Sequence, residues 1–125
     1  LADSLIQVGI RTLNPHQKEQ SDRFGTRILK PGEQGQIAEL LVDNTPLYIS
    51  IDMDGLDPAF APGVSHPEPG GLSTRELIEI LQVVDVPVVG GDIVELNPSR
   101  DPTGITAMVG AKIMKELCAL MLKSR

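Results

Sequence analysis

Apolar positions recur along this chain in two rhythms, short β-branched or aliphatic runs and longer stretches with helical spacing. The runs are Leu5, Ile6, Gln7, Val8, Gly9, Ile10; Leu47, Tyr48, Ile49, Ser50, Ile51; and Val88, Val89, Gly90, Gly91, Asp92, Ile93, Val94, which follows Pro87. Each reads as a strand, since branched side chains pack well on a pleated surface. Between them lie the helical stretches. Asn14 followed by Pro15 sets an N-cap and first helical position, and Gly25 after Phe24 ends that run. Pro31 and Gly32 mark a turn, after which Glu33 to Val42 carry Ile37, Leu40 and Leu41 at helical spacing until Asn44 and Pro46. Ser73 with Glu76 is a capping box opening a helix with Leu77, Ile78, Ile80 and Leu81 on one face. The last helix is predicted over roughly Thr106 to Lys123, with apolar residues on several faces, as for a helix packed on a sheet and against a neighbouring subunit.

Strands that alternate with helices predict an α/β fold: a parallel sheet covered on both faces, with ligands bound beyond the carboxyl ends of the strands. Asp52, Asp54 and Glu95 lie at such ends. The run from Leu47 leads into Asp52, Met53, Asp54, Gly55, Leu56, Asp57, Pro58. In an extended chain side chains alternate, so Asp52 and Asp54 are expected to project together while Met53 turns into the packing. Two carboxylates about 5 Å apart at an effective dielectric near 20 repel by about 3 kcal/mol, which a hard divalent cation relieves. All-oxygen donors suit Mg²⁺, Ca²⁺ or Mn²⁺, whereas zinc or iron–sulfur sites want thiolates or imidazoles. The bland alternative is a strand-end turn, for which Asp, Gly and Pro are ordinary residues. A calcium loop of the EF-hand type fits poorly, because counting from Asp52 puts Leu56 at the fifth ligand position and Gly63 where a bidentate Glu belongs.

Composition narrows the partners. The 125 residues carry a formal charge of −6, with 41% hydrophobic but only 2% aromatic residues, so the core is aliphatic and a nucleic-acid backbone is disfavoured. Acidity suits cationic ligands. The single cysteine, Cys118, allows no internal disulfide and, lying in an apolar helical run, is expected in the core. No apolar stretch approaches a membrane span and no leader pattern opens the chain, so the expected location is cytoplasmic.

Beyond the aspartates come Ala59, Phe60, Ala61, Pro62, Gly63, Val64, Ser65, His66, Pro67, Glu68, Pro69, Gly70, Gly71, Leu72, Ser73, and later Val89, Gly90, Gly91, Asp92, Ile93, Val94, Glu95, Leu96, Asn97, Pro98. These stretches, with the aspartate-rich strand end, closely resemble the ureohydrolases, the arginases and agmatinases that hydrolyse a guanidinium group to urea at a pair of Mn²⁺ ions. The resemblance runs from about Leu5 to about Lys123. It implies a three-layer α/β/α architecture with a parallel sheet, residues 1–125 being the C-terminal part of a single catalytic domain more than twice this long. It also implies that Asp52 bridges both Mn²⁺ ions, that Asp54 binds one of them, and that Glu95 meets the substrate guanidinium in a planar paired contact. His66, in the loop where family members contact substrate near the metals, becomes a substrate-rim candidate. A homo-oligomer, trimer or hexamer, is implied as well. The upstream His and Asp-x-His-x-Asp ligands that the resemblance calls for do not occur in this sequence, so the chain alone is expected to be inactive.

Other residues are read as structural. Asp57 before Pro58 is expected to form a turn and anchor the loop. Asp92, three residues before Glu95, points to the opposite face of a regular strand and is expected to make structural hydrogen bonds. His16 is read as surface. The rival enzyme reading is a haloacid-dehalogenase-type Mg²⁺ phosphatase, whose Asp-x-Asp-Gly-Thr matches Asp52 to Gly55 but meets Leu56 in place of Thr. The non-catalytic rival is a piece that assembles with subunits of its family without turnover.

Overall fold

The computed structural model describes residues 5–41 and 45–123. In chain order the elements are β1 (Ile6–Val8), α1 (Pro15–Phe24), β2 (Arg27–Leu29), α2 (Ile37–Leu40), β3 (Leu47–Asp52), α3 (Thr74–Gln82), β4 (Val88–Val94) and α4 (Ile105–Lys123), with single 3₁₀ turns at Gln34–Gln36, Met53–Gly55 and Pro98–Arg100. All pairing between these strands is parallel, and it comes as two separate pairs, β1 with β2 and β3 with β4. The alternation of strands and helices therefore gives the expected α/β class, but the sheet is divided. A cleft of about 630 Å³ runs between β1 and β3, lined by strand residues such as Val8 and Ile49, by aliphatic Leu77 and Leu81, and at one end by Arg11, Asp52 and Asp54.

Helix boundaries follow the local chemistry. The Asn14 side chain accepts from Gln17 N, Gln17 returns a bond to Asn14 N, and Gly25 closes α1 at φ 69°, a left-handed conformation that glycine adopts without strain. Ser73 and Glu76 make both bonds of the predicted capping box. The Ser73 N–H first, then the Ser73 side chain, hold the Glu76 carboxyl below its ordinary range against desolvation, and Gln34 Nε2 donates to it at 3.0 Å. The stretch from Glu33 is less helical than its spacing predicts. It begins as a 3₁₀ turn and has only four residues of α-helix, because neither N-cap side chain bonds the exposed backbone; Val42 and Asn44 lie outside the described residues. Strand β2 was not anticipated, since three residues with an exposed Arg27 at their head show no alternation to read.

The core lies between the β3–β4 pair and helices α3 and α4. Ile51 and Met53 meet Leu56, Val64, Leu72, Leu77, Ile78, Leu81, Ile113 and Leu117 there, all 8% exposed or less. Among the described residues, α3 and α4 cover this face of β3–β4. Tyr48 is 63% and Val89 69% exposed, so the expected covering of both faces is not met among the described residues. Helix α4 likewise buries Gly110, Ile113 and Leu117 but leaves Met108 72% and Leu122 65% exposed. Cys118 sits on its exposed side rather than in the core, because the burial stripe runs through positions 110, 113 and 117 and position 118 is turned about 100° away from its neighbour. No described helix is long and apolar enough to cross a membrane.

Candidate functional site

The site is built at the carboxyl ends of β3 and β4. Strand β3 stops at Asp52, and the next three residues form a 3₁₀ turn that buries Met53 completely. The Asp52 side chain caps that turn, its Oδ1 accepting from Asp54 N at 3.0 Å. Asp52 and Asp54 are thus brought together by a capped turn, and not by the alternation of an extended strand. Desolvation pushes the Asp52 carboxyl above its ordinary value; the Asp54 N–H opposes this, the adjacent Asp54 carboxyl reinforces it, and the Arg11 charge weakly opposes it. Such a pair of adjacent carboxylates has the electrostatics of a cation site. Its all-oxygen donors fit Mn²⁺.

Arg11, just beyond β1, holds the turn from outside. Its Nη1 donates to Gly55 O at 2.9 Å and its Nη2 to Asp54 O at 2.6 Å. The long loop after Pro58 is anchored by Asp57, whose Oδ1 accepts from Ala59 N at 2.9 Å and whose Oδ2 accepts from Gly70 N at 2.7 Å and Gly71 N at 3.3 Å. The turn-forming role expected for Asp57 is what the geometry shows. Gly71 belongs to this anchor, because a Cβ there would lie 2.6 Å from Asp57 N.

The middle of the loop is tied to the residues after β4. Val64 and Leu96 form an antiparallel bridge, Asn97 N donates to Gly63 O at 2.8 Å, and Asn97 Nδ2 donates to Ser65 Oγ at 3.0 Å. Gly63 N in turn donates to the buried Thr106 Oγ1 at 2.7 Å. Asp101, although desolvation raises its carboxyl, is held net below the ordinary range by N–H groups at the start of α4, those of Ala107 at 2.9 Å and Thr106 at 3.2 Å among them. These bonds place His66 beside Glu95.

Glu95 is the only described non-glycine residue with positive φ, at 65°. A side chain in that conformation costs of order 1 kcal/mol or more, and such strain clusters at functional sites. The kink turns Glu95 out of the strand, and one ligand atom each of Asp54, His66 and Glu95 comes within 4.8 Å of the others. No hydrogen bond from a described residue occupies the His66 imidazole or the Glu95 carboxylate.

Asp92 behaves otherwise. It stands on the exposed face of the sheet and accepts from Ser50 Oγ at 2.6 Å and Tyr48 Oη at 2.8 Å, bonds that hold its carboxyl below the ordinary range. Gly90 and Gly91 serve the sheet rather than a ligand, since a Cβ on Gly91 would lie 2.7 Å from Ile49 O and one on Gly90 3.1 Å from the Tyr48 ring. His16 is exposed at the start of α1. Leu56, where the phosphatase pattern needs a hydroxyl, is a core residue with 1% exposure. Sequence reasoning missed Arg11, Asn97 and Thr106, whose partners lie 32 to 44 positions away.

Comparison with known proteins identifies the family and the fold. The family model described as "Arginase family" matches residues 1–119. Arginase 1, mitochondrial, of Arabidopsis thaliana is 48% identical over 130 residues, covering 98% of this chain and 38% of its own length. The structure of the arginase from Medicago truncatula superposes with a TM-score of 0.82 at 45% identity, over 94% of this chain and 39% of that one. Proclavaminate amidino hydrolase from Streptomyces clavuligerus superposes with a TM-score of 0.89 at 34% identity, over all of this chain and 46% of that one. The chain thus spans about two-fifths of the length of the relatives it matches, and its α/β fold is theirs. On the match of nearly its whole length, this chain belongs to the arginase family.

Proposed function

We propose that this chain carries part of the active centre of a ureohydrolase that cleaves a guanidino substrate to urea, arginine being favoured over agmatine because relatives named arginase are 45–48% identical to it. The observation that carries the reading is Glu95: a strained carboxylate without a hydrogen-bond partner among the described residues, set beside Asp54 at the strand ends. Two carboxylate oxygens match two N–H groups of a planar guanidinium, a charge-assisted paired contact that fixes both position and orientation. Asp52 and Asp54 would hold Mn²⁺ with further ligands from elsewhere in the parent protein. When bound, a Mn²⁺ pair supplies a water acidic enough to act as nucleophile near neutral pH.

The residues of this chain do the positioning. Glu95 neutralises the guanidinium charge and aims its carbon toward the aspartates, and His66 borders the entrance on the loop side. Arg11 and Asn97 keep these groups at fixed separation, which is the contribution that orientation makes to rate. The 125 residues alone are expected to release no urea, since two aspartates do not by themselves hold and orient two ions.

The test is Glu95→Gln in the full-length parent, with metal content and steady-state kinetics measured together. The amide keeps the size but loses the charge and one acceptor oxygen, a loss expected to cost about 2–4 kcal/mol in the transition state, roughly 30- to 1000-fold in kcat/KM, with metal retained. A variant within a factor of three of the parent removes Glu95 from the site. Asp52→Ala is expected to lose more metal than Asp54→Ala, as a bridging carboxylate should; equal retention of two ions in both sinks the ligand assignment.

A further inference from the structure

We propose that Thr106, in the first turn of α4, is a positioning residue of the substrate site: its buried hydroxyl fixes the loop that carries His66 against the strand end that carries Glu95. Among the described residues, the buried polar or charged ones are Thr106, with no exposure, and Asp101, at 9%. A buried hydroxyl or carboxylate is costly unless it is bonded, and these two meet at one point. Gly63 N donates to Thr106 Oγ1 at 2.7 Å. The same hydroxyl is bonded to the Asp101 side chain, and since a carboxylate only accepts, it is Thr106 that donates. The helix does not need that hydroxyl. Asp101 already accepts from Thr106 N at 3.2 Å and Ala107 N at 2.9 Å, which is the capping a first turn requires, and threonine is a poorer helix former than alanine or leucine. What the hydroxyl adds is a hold on Gly63.

From Gly63 that hold reaches both groups assigned to substrate. Gly63 O accepts from Asn97 N at 2.8 Å, two residues beyond Glu95. The Val64–Leu96 bridge and the 3.0 Å bond from Asn97 Nδ2 to Ser65 Oγ carry the same contact up to the neighbour of His66. The Asn97 side chain caps the turn Pro98–Arg100, and that turn leads back to Asp101, whose N donates to Pro98 O at 3.3 Å. The bonds close a ring, in which Thr106 Oγ1 joins the loop to the helix. Asp52 and Asp54 are held separately, by their own capped turn and by Arg11. Opening the ring at Thr106 therefore changes how substrate is held and leaves the metal content alone, a consequence that rests on the proposed function.

The experiment is steady-state hydrolysis of arginine by the full-length parent and its Thr106→Val and Thr106→Ser variants, with bound Mn²⁺ measured in each. Valine keeps the shape and loses both bonds, whereas serine keeps the hydroxyl. Thr106→Val is expected to raise KM at least about 5-fold and to lower kcat/KM about 10- to 100-fold with metal retained, as for a displacement of about 1 Å at the substrate. Thr106→Ser should stay within about 3-fold of the parent in both. A threonine that served only the fold would lower the melting temperature and the number of active molecules, but not the KM of those that remain. A KM for Thr106→Val within about twofold of the parent overturns the proposal, as does a serine variant as impaired as the valine one. If the valine variant does not fold, Thr106→Cys carries the test, because a buried thiol is tolerated but accepts only weakly; a KM equal to that of Thr106→Ser then overturns the proposal. A parent that releases no urea from any guanidino substrate would remove the proposed function and leave the ring to be judged by amide hydrogen exchange of residues 63–66. Exchange there should quicken in Thr106→Val and Thr106→Cys and not in Thr106→Ser, and equal protection in all of them overturns the hold on the loop.

Discussion

Arg11 and Asp54 are 43 positions apart, and the guanidinium of one donates to the main-chain carbonyl of the other at 2.6 Å. The same side chain reaches Gly55 O, so one cation stitches the end of β1 to the turn that carries Asp52 and Asp54. Hydrogen bonds from a charged donor are each worth about 1.5–3 kcal/mol net. Arg11→Ala is therefore expected to destabilise the protein by about 2–4 kcal/mol, read from the shift in urea midpoint. Arg11→Lys should recover part of this, since an ammonium can reach one carbonyl, and its compact head also removes the buried Arg11 Nε that has no partner among the described residues. A midpoint for Arg11→Ala equal to that of the parent would remove the stitch from the account of the site.

Gly63 is a second such point. A Cβ at this position would lie 2.4 Å from Asp101 Cβ and 2.8 Å from Thr106 Oγ1, and Gly63 N is itself bonded to that hydroxyl. Both neighbours are buried, Thr106 in the first turn of α4 and Asp101 just before that helix, and cannot swing away as an exposed side chain would. Gly63→Ala is expected to cost about 3 kcal/mol, the upper end for overpacking, and to displace the loop that carries His66. Thermal unfolding measures the first effect. The second is read from the His66 imidazole resonances, which should move even before any metal is added.

Acid should loosen the loop at a definite point. The N–H groups of Ala59 and then Gly70 hold the Asp57 carboxyl below its ordinary value; desolvation opposes them, and Gly71 N–H and the charge of Arg11 add to them. A folded value below the unfolded one means that the carboxylate stabilises the loop fully above the ordinary Asp range, near pH 3.9, and that this stability fades as pH falls through the folded value. The Gly70 amide resonance is therefore expected to titrate with a midpoint below 3.9. In Asp57→Asn that inflection should vanish. A midpoint at or above 3.9 would contradict the anchoring.

Much of this was legible in the sequence for local reasons. The capping residues Asn14, Gly25, Ser73 and Glu76 act within a few positions of themselves, and the structure uses each as the sequence predicts. The aspartate-rich strand end and the Pro-Gly loop carried the family resemblance. What was not legible is long-range. Nothing near Arg11 says that its partner is Asp54, and nothing near Asn97 points to Ser65. The division of the sheet into two pairs was also hidden, because a strand's pattern records that one face is buried but not which neighbour lies at its edge. Cys118 was misplaced for a related reason: in a helix apolar on several faces, periodicity does not say which face meets the core.

Glu95 offers a last test, one that separates function from stability. At φ 65° its backbone carries strain that glycine does not feel, while its side chain is exposed and makes no hydrogen bond to a described residue. If the residue served the fold, Glu95→Gly would destabilise it. Relief of the left-handed conformation predicts the opposite, a protein unchanged or stabilised by up to about 1 kcal/mol, offset in part by the greater freedom of glycine in the unfolded chain. The same substitution should abolish the paired contact to a guanidinium in the parent. Urea unfolding of Glu95→Gly and Glu95→Ala side by side decides the matter, with alanine, which keeps the strain, expected to fall below glycine. An alanine variant more stable than the glycine one would show that the kink is not strained and that Glu95 is held there by something other than its function.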